Sequence, residues 1–154
     1  MKLLCDQMCG SLAKWLRFFG FDTFYANAEM SDDEIMVIAQ KENRILITRD
    51  KELVQRCKKN NISVEKINSP DLEKQLEQLI PNLSVDENKI LTRCTICNNI
   101  LQKVDKNLVE HKVPPLVFSE QNTFWFCSSC DKYYWMGSHY KNILETVKQY
   151  KEKN

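Results

Sequence analysis

Two pairs of cysteines, Cys94-Thr-Ile-Cys97 and Cys127-Ser-Ser-Cys130, carry the most specific chemistry in the 154-residue sequence. One C-x-x-C on each of two knuckles supplies four thiolates, the donor set of a closed tetrahedral zinc site with a structural role. Disulfides are the alternative, but a cytosolic chain keeps its thiols reduced, and a redox C-x-x-C does not normally occur twice. The remaining cysteines, Cys5, Cys9 and Cys57, fall in predicted strand or helix, where a free cysteine acts as a small apolar residue.

A second set of residues is acidic. KLLCD and ILITRD each run from apolar residues straight into an aspartate, Asp6 and Asp50, and Asp32 and Asp33 open a predicted helix between them. Ligands of a parallel α/β sheet gather beyond the carboxyl ends of its strands, which is where Asp6 and Asp50 lie if their strands are central neighbours. Several carboxylates at one point repel unless they share a hard cation, and that donor set suits Mg²⁺ or Mn²⁺. The matching chemistry is metal-assisted attack of water on a phosphodiester. Each acid taken alone also fits a plain structural role. Aspartate is a common helix N-cap, Ser31-Asp-Asp-Glu34 has the form of a capping box, and Asp32 and Asp33 suit the positive end of a helix dipole.

Basic candidates flank these acids. Arg49 precedes Asp50 and suits either a phosphate or a neighbouring carboxylate. Lys14 and Arg17, spaced i and i+3, are expected on the face of the first helix opposite its apolar stripe, a solvated face able to hold phosphates. His139 follows the second knuckle through Gly137-Ser138 and is a candidate nucleic-acid contact. The aromatic residues Trp125, Tyr133, Tyr134, Trp135 and Tyr140 stand near lysines, a combination that serves either stacking on bases or packing around the knuckles.

The elements that must position these residues change character along the chain. KLLCD, DTFYA, ILIT and ISVEKI read as strands. Between them lie helices over CGSLAKWLRFF, with Leu12, Trp15, Leu16 and Phe19 on one face, over the segment opened by Ser31, and over Lys51 to Asn60. A further helix starts near Pro70 and ends about Ile80. Repeated βα units imply a parallel sheet with right-handed crossovers. From about Asn82 polar loops, cysteines and aromatics take over, so the boundary is expected there, with residues 1–82 as one domain and 83–154 as a second that ends in a helix over Tyr140 to Lys151.

Composition excludes more than it selects. With 22 basic and 21 acidic residues, the formal charge of +1 rules out neither a nucleic acid nor a protein partner. The start, MKLLCDQMCG, meets a charge too soon for a signal peptide, and no apolar run approaches a membrane span, so the expected location is the cytoplasm with no membrane partner. The three glycines, Gly10, Gly20 and Gly137, form no G-x-G-x-x-G or Walker loop, and no G-x-S-x-G elbow is present.

The stretches DQMCGSLAKWLRFFGFDT, SDDEIMVIA, RILITRDKEL, VPP and FWFCSSCDKYYWMGSH, taken in order, resemble the Mut-seven C-terminal RNase family, a PIN-like nuclease domain joined to a zinc ribbon. The resemblance covers nearly the whole chain. It departs from the family at Cys9, where leucine is typical, and at Tyr140, where tryptophan is common. It implies a PIN-like parallel sheet flanked by helices, followed by a small zinc ribbon and a C-terminal helix. It implies Asp6, Asp32 and Asp50 as the carboxylates of a magnesium or manganese site, with Asp33 or Glu34 as auxiliaries, and RNA as the substrate of a metal-dependent endoribonuclease. The competing expectation is a non-catalytic zinc-ribbon adaptor for RNA or protein, whose acids only cap helices.

Overall fold

A computed structural model describes residues 1–153. Four strands, β1 (Lys2–Cys5), β2 (Asp22–Tyr25), β3 (Ile45–Thr48) and β4 (Val64–Lys66), form a fully parallel sheet in the order β2-β1-β3-β4. Helices α1 (Gly10–Phe18), α2 (Asp32–Lys41) and α3 (Lys51–Lys59) make the crossovers, and α4 (Leu72–Leu79) follows β4. The alternating side chains of the two central strands feed two hydrophobic layers. Leu4 and Leu46 pack with Ile35, Ala39, Leu53 and Cys57 from α2 and α3. Leu3, Cys5 and Ile47 face the other way, onto Leu12, Leu16 and Phe18 of α1 and Leu76 and Leu79 of α4.

The helix ends follow from local chemistry. Ser31 and Glu34 form the capping box, with the Ser31 N–H donating to Glu34 Oε2 at 2.7 Å. Asp71, one residue after Pro70, caps α4. α1 stops at a left-handed turn on Gly20, with φ of 90°. A Cβ on that residue would lie 2.3 Å from the Lys89 carbonyl oxygen, so the returning chain passes where only hydrogen fits.

The second half forms a small antiparallel sheet, β5 (Gln102–Val104), β6 (Phe124–Cys127) and β7 (Lys132–Tyr134), with α5 (Pro115–Glu120) between β5 and β6. The C-terminal helix α6 (Ser138–Glu152) packs back on α1, where the Tyr140 and Phe18 rings stack at 4.6 Å and 11°. Leu91, Cys94, Tyr134 and Val147 thereby join the hydrophobic layer that covers β1 and α1. Among the described residues, no helix is long and apolar enough to cross a membrane.

Candidate active site

β1 and β3 are the two inner strands of the parallel sheet, and they deliver Asp6 and Asp50 to the same carboxyl edge. Asp6 is buried at 4% exposure, and its N–H continues the ladder to the Ile47 carbonyl at 3.2 Å. Its Oδ1 accepts from the Met8 N–H at 3.0 Å, capping a short 3-10 turn, while Oδ2 accepts from the Thr48 hydroxyl. That same hydroxyl accepts from the Asp50 N–H at 3.0 Å, so one buried side chain ties the two acidic residues together. Asp50 caps α3: its Oδ1 accepts from the N–H groups of Glu52 and Leu53 at 2.8 and 3.2 Å. Its Oδ2 has no hydrogen-bond donor among the described residues.

Asp32 and Asp33 lie in the first turn of α2, where Arg56 of α3 pairs with both, at 3.7 Å from Asp32 and in direct contact with Asp33. The contact to Asp33 and the proximity of both acids raise the Arg56 pKa, a solvent-exposed effect. Glu34 is committed to the capping box, and its bonds to the Ser31 N–H and hydroxyl hold its carboxyl below the usual range. Asp6, Asp32 and Asp50 therefore do not form one mutual cluster: among the described residues, the four cysteines are the His, Cys, Asp or Glu group whose ligand atoms all lie within 4.8 Å of one another. A hard cation of the Mg²⁺ type does not need three such ligands, since it commonly keeps several waters and binds through one or two carboxylates.

The basic candidates separate. Arg49 is half-buried beside Asp50 and makes no hydrogen bond or ion pair among the described residues. Lys14 is exposed on α1. His139 begins α6 and packs edge-on against Trp15 at 5.3 Å. Arg17 does not take the solvent face that its spacing suggests. It is buried at 7% exposure, on the Ala13 row of α1, and its guanidinium donates to the carbonyls of Thr23, Thr95 and Ile96 at 2.9, 3.1 and 2.9 Å. Burial lowers its pKa, opposed by nearby acidic and thiol groups. Its donors thus bind the first cysteine knuckle to the sheet, and the Asn98 side chain adds to this by accepting from Thr23 N–H and donating to Asp22, at 3.0 and 2.8 Å. No local pattern in the sequence announces contacts that span 75 residues and more.

Cys9 adds an unanticipated neighbour to Asp6. Burial pushes its thiol up to about 12, and the adjacent Asp6 carboxylate adds to the shift, so Cys9 remains a neutral thiol at ordinary pH.

The four-cysteine cluster fits a tetrahedral metal. Sγ atoms of Cys94 and Cys130 lie 3.8 Å apart and those of Cys97 and Cys127 lie 3.5 Å apart. A tetrahedron with Zn–S bonds of about 2.3 Å has edges of about 3.8 Å. Burial pushes the Cys94 thiol up, but the Tyr134 hydroxyl, 3.1 Å away, and the backbone amides of Cys97 and Ile96 pull it down further, to about 6. Contacts with Cys97 and the other sulfurs push Cys130 the opposite way, to about 12. Thiolates this close oppose one another's ionisation, and a shared divalent cation removes the conflict. The Tyr134 hydroxyl also accepts from the Thr95 N–H at 3.2 Å, fixing the knuckle from the second sheet.

The family model of the Mut7-C RNAse domain matches residues 1–147. No curated protein and no solved structure gave a significant match.

Proposed function

The chain belongs to the Mut7-C RNAse domain family, and from that premise we propose that it is a metal-dependent endoribonuclease. Membership implies ribonuclease activity and RNA as substrate. The proposal adds that residues 1–82 carry the chemistry, that Asp6 and Asp50, with Asp32 as third carboxylate, hold Mg²⁺ or Mn²⁺, and that residues 83–154 form a zinc-bound ribbon. The observation that carries it is the Thr48 hydroxyl, which joins Asp6 and Asp50 at the carboxyl edge of adjacent inner strands, next to an Arg49 with no hydrogen bond or ion pair among the described residues.

A bound Mg²⁺ or Mn²⁺ supplies a more acidic water and neutralises charge on the phosphodiester. The residues of the chain do the positioning. Met8 N–H and Thr48 fix both oxygens of Asp6, so this carboxylate has one orientation. The α3 N-terminus fixes Oδ1 of Asp50, so that Oδ2 would be the atom available to the ion. The Arg49 guanidinium is the donor for non-bridging phosphate oxygens, which it suits by its planar fork. Asp32, which stands 3.7 Å from Arg56, would have to leave that pair to serve as the third carboxylate.

The adaptor reading has its own support, because Asp50 and Asp6 both cap helical turns. Cleavage decides between them. Purified protein incubated with single-stranded RNA should cut it internally when Mg²⁺ or Mn²⁺ is added, and an Asp6→Asn preparation made in parallel should not. RNA left intact under every ion condition places the adaptor reading ahead.

A further inference from the structure

A recess of about 160 Å³ lies between α1, the first cysteine knuckle and the start of α6, lined by Lys14, Trp15, Phe18, Thr95, His139 and Tyr140. A second recess of about 190 Å³ adjoins it, with Tyr140 lining both, and runs along β7 past Lys132, Tyr133 and Trp135. Each combines aromatic rings with an exposed lysine, and no carboxylate lines either one. The larger recesses differ in this respect, since Asp22 and Asp86 line one of them and Glu65 lines another.

We infer that these two recesses form a track for two consecutive unpaired nucleotides of the substrate RNA, an inference that rests on the proposed ribonuclease activity. Charge and shape select this occupant. Rings interleaved with lysines, free of acids, match a polyanion whose bases stack, and each recess has the size of a single base. An unpaired strand exposes base faces to such rings, whereas a duplex hides them and presents only its backbone and shallow groove. Tyr140 is suited to be the common wall, because its stacking on Phe18 at 4.6 Å and its contact with Trp15 at 5.8 Å hold the ring in place before RNA arrives. Lys14 stands on α1, the helix that follows the Asp6-capped turn. Lys132, on β7, is the corresponding phosphate partner of the second recess, and Lys14 that of the first.

The test measures binding apart from cleavage. Full-length Asp50→Asn protein is titrated with a short labelled single-stranded oligoribonucleotide, and with the same sequence as a blunt duplex, across a salt series. Adding Lys14→Gln or Lys132→Gln should weaken single-strand binding by about 5-fold and reduce the slope of log K against log salt by about 0.7 each. Duplex binding should not change, and single-strand RNA carrying 4-thiouridine should crosslink to peptides containing Tyr133, His139 or Tyr140. Both lysines lie on the surface, and unchanged melting temperature and zinc content confirm that the variants fold. Unaltered affinity and slope, equal losses on the duplex, or crosslinks confined to other segments would each overturn the track. If wild-type protein cuts no RNA yet shows this binding pattern, the ribonuclease proposal fails while the track stands.

Discussion

Thr48 holds Asp6 from the neighbouring strand, donating its hydroxyl hydrogen to Oδ2 while its oxygen accepts the Asp50 N–H. Thr48 and Asp6 are both buried, so the bond between them cannot be replaced by water without opening the sheet. Thr48→Val keeps the shape and removes both bonds. We expect it to cost about 1–3 kcal/mol in stability and to lower cleavage and Mn²⁺ affinity by about 10–100-fold, as loss of a residue supporting metal ligands does. Thr48→Ser should restore both. Rates and ion titrations of melting temperature read the outcome, and a valine variant with wild-type ion affinity removes Thr48 from the site.

Asp50 performs two jobs that substitution can separate. Asparagine caps a helix as well as aspartate does, so Asp50→Asn should change stability by no more than about 0.5 kcal/mol. Without the charge, cleavage should vanish and the rise in melting temperature on adding Mg²⁺ or Mn²⁺ should shrink. Retention of the full ion response by this variant counts against Asp50 as a ligand.

The cysteine cluster predicts one zinc per chain, measurable by elemental analysis of freshly purified protein. Cys127→Ser should release it. Because Arg17 binds the knuckle to β2, the damage should extend beyond the second half, and hydrogen exchange should show faster opening of α1 as well. Exchange confined to residues 83–153 would show that the knuckle and the sheet are not coupled.

Arg17 itself gives a sharper form of the same point. Arg17→Met leaves the carbonyls of Thr23, Thr95 and Ile96 without their donors, at a cost of about 3 kcal/mol, or a fall in melting temperature of roughly 6–12 °C. Zinc content should be retained. A change below about 1 °C would mean that water takes over these carbonyls.

Asp22 sets a pH dependence. Burial raises its pKa, but hydrogen bonds from Arg44 and Asn98 outweigh this and hold the carboxyl below its usual value. A depressed folded-state value means that the stabilisation is fully present above the unfolded pKa of about 3.9 and is lost as pH falls through the lower folded value. Urea midpoints of wild type and Asp22→Asn should therefore differ most near neutrality and converge below about pH 4. A gap independent of pH would assign the loss to packing and not to charge.

The parallel half was legible because its signals are local. Leu12, Trp15, Leu16 and Phe19 mark α1, the Ser31–Glu34 box marks the start of α2, and alternating strands and helices imply the sheet. That β1 and β3 are inner neighbours is a matter of strand order, which no residue encodes by itself. The four cysteines were readable from spacing alone, whereas the sheet that carries them has strands as short as those of the parallel half but without amphipathic helices alternating with them to mark their ends. Arg17 was misplaced because a charge on an otherwise apolar helix is ordinarily assigned to solvent. The carbonyls it satisfies come from a turn that the sequence does not connect to α1.

Gly20 shows how narrow one crossing in this fold is. Its φ of 90° disfavours any side chain, and a single added carbon would meet the Lys89 backbone at 2.3 Å, a partner that cannot rotate away. Position 20 is therefore the place where mutational tolerance ends. In a saturation library selected for folded protein, neighbouring surface positions such as Lys89 should return many residue types, and this one should return glycine alone.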